Sequence, residues 1–292
     1  MKSLTNISLA CAVIAALGLA SNAALAQESG ASAEAIAKDT SDKTGTNPVN
    51  FQRDLRFYNE YSWLNTEGDG NQNVLTMEYR QPLLDGEYQF RIKVPGVTSL
   101  TADINDDGSD DIDESGLGDV NFRVLKKPWF KGAHALAPAI EVFLNTASED
   151  ELGSGTLTLG PQVFYGYFFG KNPIPIPGYR ASGLFAPGLQ YRFSVDEDSG
   201  RSEVDAWAID INYLALSEDK ARWLFINPQI LLDQENDQDY AFLDVEFGWM
   251  MQKWYADLKG QSFYVRPSYT LGSDDDRPSD YAMEFGYKWV GW

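Results

Sequence analysis

One stretch of the chain has the residue types and the spacing of a loop that binds Ca²⁺. Counting from Asp103, oxygen-bearing side chains stand at positions 1, 3, 5, 7, 9 and 12, and Gly108 at position 6 permits a sharp turn. The six predicted ligands are Asp103, Asn105, Asp107, Ser109, Asp111 and Glu114. Asp110 stands where such loops normally carry an apolar anchor, and no helices are expected on either side. The sequence therefore leaves two interpretations open: a calcium site, or a solvated acidic loop extended by charge repulsion.

The chain offers few residues for catalysis. His134 is the one histidine, and Cys11, the one cysteine, belongs to a segment that is expected to be removed. A zinc cluster therefore cannot be assembled, and a serine nucleophile would need His134, which falls in a predicted turn. Asp244 and Glu246 share one face of a predicted strand, where nearby basic residues favour ion pairing over acid–base catalysis. We therefore predict no enzymatic activity and no catalytic residue.

The first residues are typical of a secretory signal peptide. Lys2 is followed by an apolar run, Leu9–Ala20, and by Ala24-Leu25-Ala26, a cleavage site of the small-x-small type. The apolar run is too short to span a bilayer as a helix. We predict that residues 1–26 are removed during export. Residues 27–50 are rich in Ser, Ala, Thr, Asp and Gly, which predicts a flexible lead-in or a small plug inside the body that follows.

The remaining body, residues 51–292, is dominated by alternation of apolar and polar residues with period two. In the last stretch, Tyr281, Met283, Phe285, Tyr287 and Trp289 alternate with smaller or polar residues, as in a strand with two different faces. Similar segments occur twelve times, each of about the length that a tilted strand needs to cross a bilayer. The predicted strands lie near 54–64, 73–81, 88–95, 119–126, 135–145, 156–169, 184–193, 203–215, 222–232, 240–251, 261–271 and 280–290.

The face opposite the apolar rows carries charge. It is predicted to hold eight basic and seven acidic residues, which are Arg56, Glu60, Glu78, Arg80, Arg91, Lys93, Arg123, Glu141, Arg192, Asp210, Asp244, Glu246, Arg266, Glu284 and Lys288. Because the basic and acidic residues are nearly equal in number, we predict that they form a network of ion pairs. About twelve strands enclose an interior intermediate between a filled small barrel and an open porin, so we expect a narrow or gated passage.

Alternation alone fits either a soluble two-layer sandwich or a membrane barrel, and the connections between the strands decide between them. The connections are numbered along the chain, beginning with the one that follows the first predicted strand. The odd-numbered connections contain 24 acidic residues and two arginines, a net charge of −22. The even-numbered connections contain nine basic and five acidic residues, a net charge of +4. An up-and-down meander therefore collects the acidic, longer loops at one end, as outer-membrane barrels do. We predict an all-β, transmembrane, antiparallel barrel of about twelve strands over residues 51–292.

Short glycine motifs link this body to a known family. Gly116-Leu117-Gly118-Asp119 opens a predicted strand, and Leu152-Gly153-Ser154-Gly155 leads to Thr158-Leu159-Gly160-Pro161-Gln162. In these motifs the chain resembles the outer-membrane protein family named for the meta-pathway of phenol degradation. The resemblance implies a barrel that passes small compounds, often aromatic or hydrophobic. It assigns no functional residues.

Together these features predict a protein of the bacterial outer membrane, with the lipid bilayer, lipopolysaccharide and a small solute as its partners. Its formal net charge of −20 makes nucleic acid an implausible partner. The expected function is a channel or transporter for a small compound. The alternative is a non-conducting surface protein whose acidic loops are ordered by Ca²⁺. A third reading, a membrane-embedded lipid-modifying enzyme, is disfavoured by the position of the single histidine.

Overall fold

The structure, a computed structural model, describes residues 44–46, 51–66, 70–103, 111–196, 203–235, 238–273 and 277–291. The predicted signal peptide, residues 1–26, and most of the predicted lead-in lie outside these ranges. Within them, the chain contains no helix long and apolar enough to cross a membrane.

The described residues form fourteen strand segments, and every paired neighbour is antiparallel. The segments are β1 (Asp54–Leu64), β2 (Gly70–Leu83), β3 (Tyr88–Ala102), β4 (Ile112–Leu117), β5 (Asn121–Lys126), β6 (Trp129–Lys131), β7 (His134–Phe143), β8 (Leu157–Phe169), β9 (Gly183–Asp196), β10 (Asp205–Leu216), β11 (Arg222–Asp233), β12 (Gln238–Met250), β13 (Gln261–Gly272) and β14 (Ser279–Val290). Short 3₁₀ turns cover Leu84–Gly86, Asp150–Leu152 and Met251–Lys253.

These segments close into a barrel of twelve walls. β4, β5 and β6 follow one another in a single wall, since β3 pairs with β4 and β5 along its length, and β5 and β6 both pair with β7. Every other strand is a wall of its own, and β1 closes the circle by pairing with β14. Among the described residues, every wall is thus paired with a neighbouring wall on each side, which a bilayer requires because lipid cannot satisfy backbone hydrogen bonds. The predicted fold is confirmed.

The polarity of the walls is that of a membrane barrel and not of a soluble sandwich. On β14 the outward side chains of Tyr281, Phe285 and Trp289 are 46%, 57% and 37% exposed. The inward side chains of Glu284 and Lys288 are 3% and 0% exposed. A soluble protein would bury the aromatic row and hydrate the charges, whereas lipid covers such a row in a membrane.

The predicted strands near 88–95 and 119–126 leave one long loop between them, and this prediction is wrong. β3 continues to Ala102, and β4 returns beside it from Ile112, with the Asp111 amide donating to the Ala102 carbonyl at 2.8 Å. A register shift between Val97 and Leu100 interrupts the period-two alternation at this point. Because of this bulge the segment does not show the regular alternation that indicates a strand, although it is rich in β-branched residues.

Both ends of the barrel body lie at one end, which we call the turn end and where the connections are on average shorter. The acidic connections, which are on average longer, lie at the other end, the loop end. Bacterial barrels keep short turns in the periplasm and longer loops outside. The turn end is therefore the periplasmic end of this barrel.

Gly286 should be needed because the barrel wall at this position packs closely against a side chain that fills the lumen. A Cβ atom at this position would lie 2.1 Å from the ring of Tyr264, which is 2% exposed. We expect Gly286→Ala to lower the free energy of unfolding by about 1–3 kcal/mol, because overpacking forces displacement of the ring. The measurement is a guanidinium titration of the detergent-folded barrel. Gly96→Ala is the control, since its new Cβ would meet nothing closer than the Leu75 carbonyl at 3.6 Å; equal midpoints for the two variants would contradict the prediction.

Candidate functional site

The charged residues predicted to face the interior lie on the inward side of the walls, and all fifteen are buried or half-buried. They do not form one continuous network. Most of them gather in three clusters, each built around one buried carboxylate, which we name after Glu246, Glu78 and Glu141.

The Glu246 cluster joins four neighbouring walls at the turn end. Glu246 on β12 is 0% exposed and accepts from Lys288 Nζ at 2.7 Å, from Trp223 Nε1 at 2.6 Å and from the Arg266 guanidinium. Arg266 also pairs with Glu284 at 3.2 Å. A buried carboxylate is stable only when its oxygens are paired, and here three donors satisfy them.

The Glu78 cluster lies on β1, β2 and β3, and it also holds part of the N-terminal segment. Arg80 Nε lies 2.6 Å from Glu78 Oε1, and Arg56 Nε lies 3.5 Å from the same oxygen. Both guanidinium groups donate to the backbone carbonyl of Gly45, Arg80 at 3.1 Å. Residues 44–46 are therefore bound inside the barrel at its turn end.

The Glu141 cluster lies beside a row of arginines. In the sheet register Arg80, Arg91 and Arg123 stand directly opposite one another on β2, β3 and β5. Like charges opposite one another are unfavourable, so this row needs compensation. Glu141 pairs with Arg91 and also accepts from Gln190 Nε2 at 3.2 Å.

Two cations of this region have no carboxylate partner among the described residues. Arg123 is 9% exposed and stacks over the ring of Phe164, 5.4 Å from its centroid. Arg192 stacks over Phe143 at 5.1 Å and donates to Gln190 Oε1 at 2.7 Å. Both guanidinium groups border the cavity in the middle of the barrel. They add positive charge to that cavity without a direct ion pair among the described residues.

The central cavity has a volume of about 280 Å³. Seven cationic side chains line it against two carboxylates, together with amides and three phenylalanines; the charged lining is Arg56, Arg80, Arg91, Lys93, Arg123, Arg192, Arg266, Glu141 and Asp210. A cavity so lined, between low-dielectric walls, attracts anions.

A second cavity, of about 320 Å³, occupies the half of the lumen toward the loop end. Glu60, Asp244 and several hydroxyl groups line it. Gln229 borders both cavities and donates to Asp244 Oδ2 at 2.8 Å, so this pair stands where the two cavities meet.

The turn end of the lumen is filled by apolar side chains. Trp223, Phe168, Leu184, Leu214 and Tyr264 belong to one buried cluster that spans β8 to β13. Glycines opposite the two largest rings make room for them: a Cβ at position 248 would lie 1.9 Å from the Trp223 ring. This half of the periplasmic exit is therefore closed by tight packing.

The predicted calcium ligands are only partly described. Asp103 follows β3, Asp111 precedes β4, and Glu114 lies within β4, whereas Asn105, Asp107 and Ser109 lie outside the described residues. Among the described residues, no group of three or more acidic, histidine or cysteine side chains could hold a metal ion. Calcium binding stays a prediction.

His134 does not lie in a turn, as the sequence suggested, but at the first position of β7 on the outward face. Its Nδ1 lies 2.5 Å from the hydroxyl of Tyr165, and its ring also contacts Tyr167. It belongs to an aromatic group at the periplasmic edge of the barrel, as in the girdles of outer-membrane proteins.

Four interior residues were missed by sequence reasoning. Asp54 pairs with Arg56, and the period-two pattern of β1 would have placed it on the same face. Gln190 and Trp223 follow the same rule on β9 and β11. Gly45 carries no sequence signal, because its role depends on a contact between segments that are distant in the chain.

The sequence matches no protein-family model and no curated protein. Solved structures do match. The COG4313 outer membrane channel from Pseudomonas putida F1 superposes with a TM-score of 0.56 at 12% identity, covering 82% of this chain and 95% of that chain. The β domain of the Bordetella autotransporter BrkA gives a TM-score of 0.43 at 11% identity, covering 82% and 98%. At such identities the likeness to the first structure establishes the fold, which is that of bacterial outer-membrane barrels.

Glu246 should dominate the stability of the interior. Glu246→Ala leaves Lys288, which is 0% exposed, without its carboxylate, and we expect a loss of about 3–5 kcal/mol in the free energy of unfolding. Guanidinium unfolding of the folded barrel measures this.

Lys253→Ala is the control, because it breaks a pair of similar length on the periplasmic surface, 2.8 Å from Asp219, with side chains 59% and 44% exposed. There the Lys253 hydrogen bond, followed by those from Ser217 and the Ala221 amide, holds the pKa of Asp219 below its usual range. That contribution is present at neutral pH and is lost as the pH falls through the depressed pKa. We expect a cost of about 1 kcal/mol or less. Equal losses for the two variants would contradict the assignment.

Proposed function

We propose that this protein is a channel of the bacterial outer membrane for small organic anions. The observation that carries the proposal is the charge of the central cavity, where Arg123 and Arg192 have no carboxylate partner among the described residues. A solute that neutralises them gains Coulomb energy and charge-assisted hydrogen bonds. The fold shared with an outer membrane channel is consistent with this role.

The same cavity supports solutes that carry an aromatic ring. Phe143, Phe164 and Phe225 line it between the guanidinium groups. Apolar faces beside cations suit a ring that bears a carboxylate. The resemblance to the meta-pathway family implies aromatic compounds as well, and a polar lining favours their charged over their neutral forms.

We also propose that residues 44–46 act as the inner stopper of this channel. Gly45 and Thr46 border the central cavity, and the Gly45 carbonyl is bound by Arg56 and Arg80. The apolar cluster closes the β8–β13 side of the exit, whereas residues 44–46 lie against β14, β1 and β2. Displacing the segment should therefore open the exit.

Arg123→Gln should weaken anion preference. The substitution removes a buried, unpaired cation from the cavity wall, so the reversal potential across a KCl gradient in planar bilayers should shift toward that of a non-selective pore. Lys127→Gln is the control, because it removes one charge from a turn where Lys127 pairs with Glu87 at 2.7 Å. An identical shift for both variants, or none for Arg123→Gln, would refute anion selection at this site. A barrel that neither conducts nor permits swelling of proteoliposomes, in the wild type and in the variants designed to open it, would favour the non-conducting surface role instead.

Gly45→Val should raise conductance. The residue has φ +67°, and a Cβ atom there would lie 2.9 Å from Asp54 Oδ2 and 3.0 Å from Arg56 Nη2, so a branched side chain should expel the segment. Gly86→Val is the matched control, since Gly86 has φ +82° and nothing within 4 Å of a new Cβ. The two variants carry the same backbone strain and differ in their contact with the lumen. Single-channel recording compares them, and equal conductance would remove the stopper role.

A further inference from the structure

The connection between β7 and β8, residues 144–156, folds back onto the wall formed by β3 and β4. β7 ends at Phe143, which leaves the outer edge of β4 without a strand partner among the described residues. The connection takes that place: the Ser148 amide donates to the Leu117 carbonyl at 2.9 Å, and the Leu117 amide donates to Ser148 Oγ at 3.0 Å. We call this segment the inner loop.

The inner loop packs on the inward face of the neighbouring walls. Leu152, 8% exposed, contacts Val97 and Leu100, which point inward from β3. Leu64 and Val74 border the same cluster, and Leu64 also lines the cavity toward the loop end. The loop therefore lies beside the outer entrance of the lumen, on the lumen side of the wall.

A single carboxylate holds the base of this loop. Asp119 stands at the break between β4 and β5, and its Oδ1 accepts from the amides of Thr146 and Ala147, both at 3.0 Å. Its Oδ2 accepts from the amide of Ser154 at 2.7 Å and from the hydroxyl of the same residue at 2.9 Å. Four donors from both ends of the loop thus converge on one side chain, which fixes the loop as a closed Ω-shaped unit.

The glycines around Asp119 are required by this packing. A Cβ at Gly153 would lie 2.4 Å from the Ala147 Cβ and 2.8 Å from Asp119 Oδ1. A Cβ at Gly116 would lie 2.0 Å from Ser148 Oγ. Two motifs therefore contact each other and hold the loop against the wall: Gly116-Leu117-Gly118-Asp119 and Leu152-Gly153-Ser154-Gly155. We call this contact the latch.

We propose that the inner loop sets the size of the outer entrance and that Asp119 is its positioning residue. This rests on the proposed channel function. The loop covers inward-facing apolar side chains that would otherwise border water at the mouth of the outer cavity. It is held by the latch, by Leu152 and by the hydrogen bonds between Ser148 and Leu117, and not by a continuous ladder of strand hydrogen bonds. A loop so attached can be released without unfolding the barrel.

The first test compares Asp119→Ala with Asp119→Asn. The alanine variant loses all four hydrogen bonds, and the asparagine variant retains one carbonyl acceptor, so single-channel conductance should rise most for alanine and less for asparagine. In swelling assays of proteoliposomes the size limit for uncharged sugars should shift upward in the same order. Asp113→Ala is the matched control, because it removes an exposed carboxylate from the same wall without touching the loop. A difference in migration between boiled and unboiled samples shows that each variant is folded.

The second test locks the loop. A Cβ at Gly116 would lie 3.4 Å from the Cβ of Ser148, close to the separation of about 3.8 Å in disulfides, so Gly116→Cys with Ser148→Cys should cross-link when Cys11 is replaced by serine. Combined with Asp119→Ala, the oxidised protein should return to the conductance and size limit of the wild type, and reduction should restore the wider entrance.

The outcomes separate the two proposals. A wild type that conducts, with Asp119→Ala unchanged in conductance and size limit, overturns the role of the loop and leaves the channel standing. Indifference of the double-cysteine protein to oxidation, once the cross-link is verified by mass, does the same. Folded variants that never conduct, reduced forms included, overturn the channel function itself. A closed wild type with a conducting Asp119→Ala variant supports both.

Discussion

Glu246 has no exposed surface, yet its carboxylate is bonded to side chains from three neighbouring walls of the barrel. Moving an ion out of water costs several kcal/mol, and only well-placed donors offset that cost. The register of β11 to β14 depends on this arrangement. A slip of β14 by one residue would turn Lys288 toward lipid and Phe285 toward the lumen. Exposing a lysine to lipid costs about 2–4 kcal/mol at the bilayer midplane and less near the interface, where Lys288 lies, and the lost pairing adds to that cost.

In the lining of the central cavity, cationic side chains outnumber carboxylates. Around Glu246 the charges are paired, whereas across β2, β3 and β5 three arginines stand side by side and share few carboxylates. Charges that are fully paired stabilise the fold but contribute little electrostatic potential to the cavity. Arg123 and Arg192, which make no direct ion pair among the described residues, are therefore the cations of the central cavity that are most available to a solute. In the proposed channel, stability and selectivity would thus depend on different walls of the same barrel.

Much of this could be predicted from the sequence, because a strand that faces lipid on one side and charge on the other leaves a period-two pattern. The twelve walls, the inward charges and the separation of acidic loops from basic turns all follow from it. The pattern fails where the backbone departs from regular alternation, as at the bulge between Val97 and Leu100. The period-two pattern also carries no information about which side chains pair with one another in the lumen. That Arg123 stays unpaired while Arg91 has Glu141 depends on register between strands, which no single stretch of sequence contains.

The lumen is closed by two different kinds of contact, and this difference points to the path that a solute would take through the proposed channel. At the turn end, the rings of Trp223 and Tyr264 fill spaces left by Gly248 and Gly286, a close packing that cannot yield without unfolding the walls. The N-terminal segment at Gly45 and the loop anchored by Asp119 are instead held by a few hydrogen bonds. Such contacts open at a small fraction of the free energy of global unfolding. In the proposed channel, the path of a solute would therefore follow the β14–β1–β2 side, past the arginine row, where both closing elements are held by such contacts.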